Sequence, residues 1–69
     1  MNLLNKRVVV VGLGSSGRAA ARLALAKGAS VVGTDLRTEI QPIEGVELQL
    51  GPHSQELLSS ADLLVLSPG

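Results

Sequence analysis

The strongest constraint on the fold is a run of four valines that leads directly into three closely spaced glycines. The segment reads "VVVVGLGSSGRAAA" and covers Val8 to Ala21. Consecutive β-branched residues are typical of a strand buried on both faces of a parallel sheet. The alanine-rich residues that follow have apolar positions at helical spacing. A glycine-rich turn between a strand and a helix predicts the first unit of a nucleotide-binding α/β fold.

The rest of the chain predicts a regular alternation of strands and helices. We predict strands over 7–11, 29–35, 46–50 and 61–67, and helices over 16–27 and 54–60, with a loop over 36–45. In the first helix, the residues at helical spacing are Ala19, Ala20, Leu23, Ala24 and Lys27. Lys27 followed by Gly28 is a helix-ending signal, a cation in the last turn and then glycine. Ser54 is the predicted cap of the second helix.

This alternation predicts an α/β, Rossmann-like domain with a parallel sheet. Right-handed crossovers place the four strands in the order 3-2-1-4, with the helices on the faces of the sheet. Ligands of such sheets bind beyond the carboxyl ends of the strands, where the strand order reverses. Three segments meet at that edge: 12–17, Asp35 and 67–69. A ligand site is therefore expected there.

Each glycine of the triplet has a separate predicted role. Gly12 allows a sharp turn after the first strand, Gly14 lets backbone approach a ligand, and Gly17 lets the helix pack closely on the sheet. Ser15 and Ser16 then carry backbone N–H groups that have no partner within the helix. Because these groups and the helix dipole favour an anion, we expect a phosphate or diphosphate there.

An acidic residue follows the second strand at a spacing that suits nucleotide binding. Asp35 lies 18 positions after Gly17, close to the spacing of about 20 residues at which an acid contacts a ribose. It either contacts the sugar or base of a ligand or caps the loop at 36–38. Arg37 either lies over a base, contacts a phosphate, or is solvated. These residues leave a dinucleotide such as NAD open as the ligand.

Composition excludes several other classes of function. Six basic and six acidic residues balance, and Phe, Tyr and Trp are absent, which argues against a nucleic-acid partner. The apolar runs fall short of the roughly 20 residues of a membrane span, so we expect a cytoplasmic protein without membrane contact. Without cysteine, and with His53 as the single histidine, we predict no metal or catalytic site. His53 is expected to make a local hydrogen bond within its turn.

Three features together resemble the N-terminal domain of the Mur ligase family. They are the glycine segment continuing to "GTDLR", the Gly-x-His at 51–53, and the closing "ADLLVLSPG". In that family the domain is Rossmann-like but holds the UDP end of a UDP-muramoyl substrate. Leu36 stands where other members of the family can carry a polar side chain. The resemblance implies a UDP site formed by eight residues: Gly14, Ser15, Ser16, Gly17, Asp35, Leu36, Arg37 and Gly69.

The resemblance also implies a larger parent enzyme. Such an enzyme would add D-glutamate to UDP-N-acetylmuramoyl-L-alanine with ATP and Mg²⁺, which bind in central and C-terminal domains. Residues 1–69 would then be a non-catalytic UDP-binding fragment that holds no cofactor itself, acts as a monomer and contacts the rest of the parent chain. The alternatives are an NAD-binding module of a dehydrogenase or regulatory protein, and a structural domain without a ligand.

Overall fold

The computed structural model describes residues 2–68, which form a four-stranded parallel sheet with one helix on each face. The elements in chain order are β1 (Arg7–Val11), α1 (Ser15–Ala26), β2 (Ser30–Asp35), β3 (Val46–Leu50), α2 (Gln55–Ser59) and β4 (Leu63–Leu66). The strands lie in the order β3-β2-β1-β4, and every neighbouring pair is parallel. The predicted fold class and strand order are therefore confirmed.

Most element boundaries differ from the prediction by one or two residues. The helix α1 starts and ends one residue earlier than predicted, so Lys27 is its C-cap and the predicted cation in the last turn is wrong. Gly28 follows with a φ of 97°, in the left-handed region that glycine favours. Ser54 caps α2 as predicted, because its hydroxyl accepts a hydrogen bond from the Leu57 N–H at 3.2 Å.

The core has two layers because successive strand residues point to opposite faces of the sheet. On one face, Val8 and Val10 pack with Ala21 and Ala24 of α1. On the other face, a smaller cluster joins Val9 and Val32 to Leu57 of α2. The central strand β1 is therefore buried on both sides, as its run of valines predicts.

The buried face of α1 differs from the predicted one. Gly17, Ala21 and Ala24 are buried, whereas Leu23 is 60% exposed and Ala19 is exposed. The close approach of the helix to the sheet at Gly17 determines this face, because residues four and seven positions later lie on the same side. Among the apolar residues that we predicted to share a face, only Ala24 is fully buried.

The strand β4 leaves much of its apolar surface uncovered. Its leucines Leu63, Leu64 and Leu66 are 43%, 42% and 71% exposed, although parallel strands are normally covered on both faces. Beside β4, a groove of about 270 Å³ runs between the strand and α1 and is lined by apolar side chains such as Leu23 and Val65. Within residues 2–68, neither helix has the length and apolar character needed to cross a membrane.

Candidate functional site

A cavity opens at the carboxyl edge of the sheet, where the sequence predicts the ligand site. Its volume is about 310 Å³, at the lower end of the range for small-molecule sites. Segments that follow β1, β2, β3 and β4 contribute to it. The lining residues are Val11, Gly12, Leu13, Gly14, Asp35, Leu36, Arg37, His53 and Ser67.

The glycine turn after β1 lines this cavity. Gly12 has a φ of 93°, and its N–H donates to the Thr34 carbonyl at 2.8 Å, so the chain leaves β1 through a turn that a larger residue would strain. A Cβ at Gly17 would overlap the carbonyl oxygen of Gly12, whereas a Cβ at Gly14 would meet no atom within 4 Å. The space at Gly14 is therefore open toward the cavity.

The first turn of α1 exposes backbone donors beside the cavity. Gly14 is the N-cap and makes no side-chain capping bond, and the first turn carries no acidic residue. The first intrahelical bond runs from the Arg18 N–H to the Gly14 carbonyl at 2.9 Å. The N–H groups of Ser15, Ser16 and Gly17 thus have no partner within the helix, and both serines are exposed. This end of α1 favours a bound anion.

Asp35 lies at the end of β2 and is held by backbone and side-chain donors. One carboxylate oxygen accepts the Leu13 N–H at 2.8 Å and the Arg37 Nη2 at 2.9 Å. The other accepts the Arg37 N–H at 2.9 Å and the Arg37 Nε at 3.0 Å. A carboxylate has about four acceptor positions, so the protein already occupies them. The loop-capping role of Asp35 is confirmed, and the carboxylate also ties the glycine turn to β2.

These bonds stabilise the ionised form of Asp35. The Arg37 guanidinium, together with the backbone N–H groups of Leu13 and Arg37, holds the pKa of the Asp35 carboxyl well below its usual value, and burial only partly opposes them. The same contact raises the pKa of Arg37. The carboxylate is therefore charged at neutral pH.

Acid is expected to weaken the fold below about pH 4. Because the folded pKa of Asp35 is lowered, its stabilising contribution is complete above the ordinary aspartate value of about 3.9 and is lost as the pH falls toward the folded value. Urea midpoints measured at pH 7, 4, 3 and 2 would follow this loss. The variant Asp35→Asn should show a smaller decline over the same range, and equal declines would contradict the assignment.

Only some of the predicted site residues line the cavity. Gly14, Asp35, Leu36 and Arg37 line the cavity, with Leu36 67% exposed and the Arg37 side chain 61% exposed. Ser15, Ser16 and Gly17 follow the lining residues directly in α1 but are not part of the wall itself. The predicted contribution of Gly69 lies outside the described residues. Nothing in the geometry contradicts a ligand at this edge.

The prediction for His53 is wrong. Its Nδ1 pairs with the Thr34 hydroxyl at 3.0 Å, across 19 positions of sequence rather than within its own turn, and the residue lines the cavity. Sequence reasoning also missed Leu13, whose N–H is bound to Asp35. The turn signal "GPHS" after β3 was a usable sign for His53, because it places this residue at the carboxyl edge. Among residues 2–68, no cluster of His, Asp and Glu side chains suits a metal ion.

Comparison with known protein families identifies the family of this chain. Residues 6–69 match the family model described as "Mur ligase MurD-like, N-terminal domain". The chain belongs to this MurD-like N-terminal family. The resemblance inferred from the glycine segment, the Gly-x-His and the closing "SPG" is therefore confirmed.

Relatives of known identity agree with this assignment. The chain is 42% identical over its whole length to a UDP-N-acetylmuramoylalanine–D-glutamate ligase from Desulfatibacillum aliphaticivorans. It is 44% identical, over 94% of its length, to the enzyme of the same name from Desulfosudis oleivorans. The aligned parts make up 17% and 16% of those two proteins. The chain thus spans about a sixth of the length of the curated relatives that it matches.

Solved structures with the same fold include nicotinamide-dependent enzymes. An NADPH-dependent glyoxylate/hydroxypyruvate reductase from Sinorhizobium meliloti superposes on 96% of this chain and 25% of its own, with a TM-score of 0.77 and 30% identity. A D-isomer specific 2-hydroxyacid dehydrogenase from Lactobacillus delbrueckii, in its NAD complex, covers 99% of this chain and 20% of its own at a TM-score of 0.78. The latter is 24% identical, so its similarity establishes the fold alone.

Proposed function

We propose that this chain is a substrate-binding domain that holds the UDP end of UDP-N-acetylmuramoyl-L-alanine. The domain would serve a longer ligase that adds D-glutamate to this substrate in peptidoglycan synthesis. The observation that carries the proposal is the cavity at the carboxyl edge of the sheet, which is lined by the Asp35–Arg37 pair and lies beside the free backbone donors at the start of α1. Membership of the MurD-like family supports this nucleotide over a dinucleotide.

The diphosphate would bind at the start of α1. Three successive N–H groups, those of Ser15, Ser16 and Gly17, are available there, and Gly14 has no side chain to obstruct the approach. The helix dipole adds a partial positive charge at the same point. No acidic side chain in the first turn opposes an anion.

The uracil would lie toward the end of β2. A carboxylate suits the N–H of a pyrimidine, but both oxygens of Asp35 are engaged by the protein. A direct contact therefore requires the Arg37 guanidinium to move away, which its 61% exposed side chain permits. The released guanidinium would then be placed to cover the ring or bind a phosphate. Leu36 offers the base an apolar surface and no side-chain hydrogen bond.

In this proposal, the residues that carry out the ligation reaction lie outside this chain. The sequence has no Gly-Lys-Ser or Gly-Lys-Thr that would continue a glycine loop into an ATP-binding P-loop, so we assign neither ATP nor Mg²⁺ to this chain. The exposed leucines of β4 suit coverage by further parts of a parent chain. A cytoplasmic location and a monomeric state remain part of the same proposal.

Titration of the isotope-labelled protein with UDP, followed by NMR, tests the proposed function. We expect saturable shifts of the amide signals of Ser15, Ser16, Gly17 and Asp35 with UDP, and no such shifts with NAD⁺. Saturation by NAD⁺ alone would favour a dehydrogenase-type module. The absence of shifts with either ligand would indicate a structural domain.

A charge variant separates binding from folding in the same titration. Ser16→Asp places a negative charge in the first turn of α1, which stabilises a helix but repels a diphosphate. Two unit charges of the same sign about 4 Å apart repel each other by about 1 kcal/mol even in water. The affinity for UDP should therefore fall at least about fivefold, while thermal stability is kept. The matched control Ser30→Asp carries the same charge at the opposite edge of the sheet and should bind UDP normally.

A further inference from the structure

The imidazole of His53 is fixed in place by a buried hydroxyl. His53 lies between β3 and α2 and is exposed. Its Nδ1 is 3.0 Å from the hydroxyl oxygen of Thr34, which is only 1% exposed. A surface side chain anchored to a buried strand residue has a defined orientation, so its other ring nitrogen has a defined position as well.

His53 lines the cavity from the face opposite to α1. Asp35 bonds to Leu13, which packs in the core layer beneath α1. Thr34 precedes Asp35 in β2, and neighbouring strand residues point to opposite faces. The pair of Thr34 and His53 therefore contributes to the α2 side of the cavity, while Asp35 contributes to the α1 side. A ligand between them would meet polar groups from both faces.

The free ring nitrogen suits oxygen atoms of a ligand. With Nδ1 paired to Thr34, Nε2 makes no hydrogen bond to any of residues 2–68. In a neutral ring, one nitrogen donates and the other accepts. Nε2 is therefore a donor when Nδ1 accepts from the Thr34 hydroxyl, and an acceptor when Nδ1 donates to it. A donor would pair with a carbonyl or hydroxyl oxygen, and an acceptor would pair with a hydroxyl group.

The strand order decides which half of a bound nucleotide lies near His53. The anion site follows β1, at the start of α1, whereas His53 follows β3, which is separated from β1 by β2. A nucleotide anchored by its diphosphate and extending past Asp35 would bring its nucleoside toward the loop after β3. The charged groups facing this part of the cavity are Asp35 and Arg37, which are paired with each other.

From this arrangement we propose that His53 contacts the ligand through Nε2, which hydrogen-bonds an oxygen of the nucleoside half. Thr34 is then a positioning residue that orients the imidazole. The inference rests on the proposed binding of a uridine nucleotide and adds a contact that neither the glycine motif nor Asp35 provides. It concerns binding alone and involves no covalent step.

Binding of three ligands to five variants tests this assignment. His53→Ala is expected to weaken UDP binding about three- to tenfold, the effect of one neutral hydrogen bond, and to leave the binding of inorganic pyrophosphate unchanged. Thr34→Val should weaken UDP binding less, and the double variant should match His53→Ala alone, because both changes remove one contact. Thr34→Ser should restore binding. Gln55→Ala, an exposed change beside the cavity loop, is the control and should have no effect.

The third ligand, 2′-deoxy-UDP, identifies the oxygen involved. If the 2′-hydroxyl is the partner, His53→Ala will not weaken binding of the deoxy compound, and if the effect persists, another oxygen of the nucleoside is the partner. Wild-type affinity of His53→Ala for UDP, or equal weakening of UDP and pyrophosphate, would overturn this inference alone. If the unchanged protein binds no UDP, both this inference and the proposed function fail. Circular dichroism of each variant confirms that the fold is retained.

Discussion

Replacing Gly17 with alanine is expected to unfold most of the protein at room temperature. Gly17 is buried in α1, and a Cβ there would overlap the carbonyl oxygen of Gly12 and lie 3.3 Å from the Ser67 Cβ. Overpacking of this kind typically costs about 1–3 kcal/mol and more where backbone must move. In chains of fewer than about 70–80 residues a single hydrophobic core rarely supplies more than about 3–5 kcal/mol of stability. Circular dichroism during urea unfolding measures the loss.

Gly14→Ala is the matched control for this prediction. It makes the same chemical change three positions before the closely packed Gly17, where a Cβ would meet no atom within 4 Å. The backbone of Gly14 is extended, with a φ of −73° that alanine adopts readily. We expect the urea midpoint of this variant to fall only slightly, because alanine is a poorer N-cap than glycine but meets no steric clash at this position. Equal destabilisation by both changes would show that close packing at Gly17 is not the cause.

Replacing Asp35 with alanine is expected to destabilise the fold by about 2 kcal/mol or more. The change removes the acceptor of the Leu13 N–H, and Leu13 is only 2% exposed. A buried donor left without a partner costs about 1–3 kcal/mol, and the Arg37 backbone N–H loses its acceptor as well. Thermal or urea unfolding at pH 7 gives the value. An unchanged midpoint would contradict the role of Asp35 as the link between the glycine turn and β2.

Arg37→Ala separates the carboxylate from its ion pair. The Arg37 side chain is 61% exposed, and exposed ion pairs contribute little to stability. The bonds from the Leu13 and Arg37 N–H groups to Asp35 remain in this variant. We therefore expect a much smaller loss of stability than for Asp35→Ala. A loss as large as that of Asp35→Ala would mean that the guanidinium, not the backbone, holds the carboxylate in place.

Local sequence patterns predicted the strands and the edge of the sheet at which the cavity opens. The valine run identified β1, because strands covered on both faces of a parallel sheet are typically continuous runs of β-branched residues. The alternating "VELQL" identified β3 with the observed bounds. The glycine spacing identified both the turn at Gly12 and the close packing at Gly17, since each requires the absence of a side chain. These features depend on neighbouring residues and on general rules of chain topology.

Features that depend on distant residues were predicted poorly. The buried face of α1 was misassigned because alanines occur on several sides of the helix, so their spacing does not reveal which side meets the sheet. The partner of His53 lies 19 positions away, beyond the reach of any turn signal. The sequence offered Asp35 as a ligand-binding or loop-capping acid, yet its bond from the Leu13 N–H, 22 positions earlier in the chain, appears only when β1 and β2 are assembled.

The sequence by itself determined the α/β class, the strand order, the glycine turn and, through three motifs, the family of this chain. Each of these follows from residue types at short spacing, where backbone sterics and side-chain periodicity leave few choices. Only the tertiary structure decided that the Leu13 N–H donates to the Asp35 carboxylate and that Thr34 holds His53 at the cavity. Hydrogen bonds between separate strands and loops depend on the distance between residues in three dimensions. The register of the parallel sheet sets this distance, and it cannot be read from the order of residues along the chain.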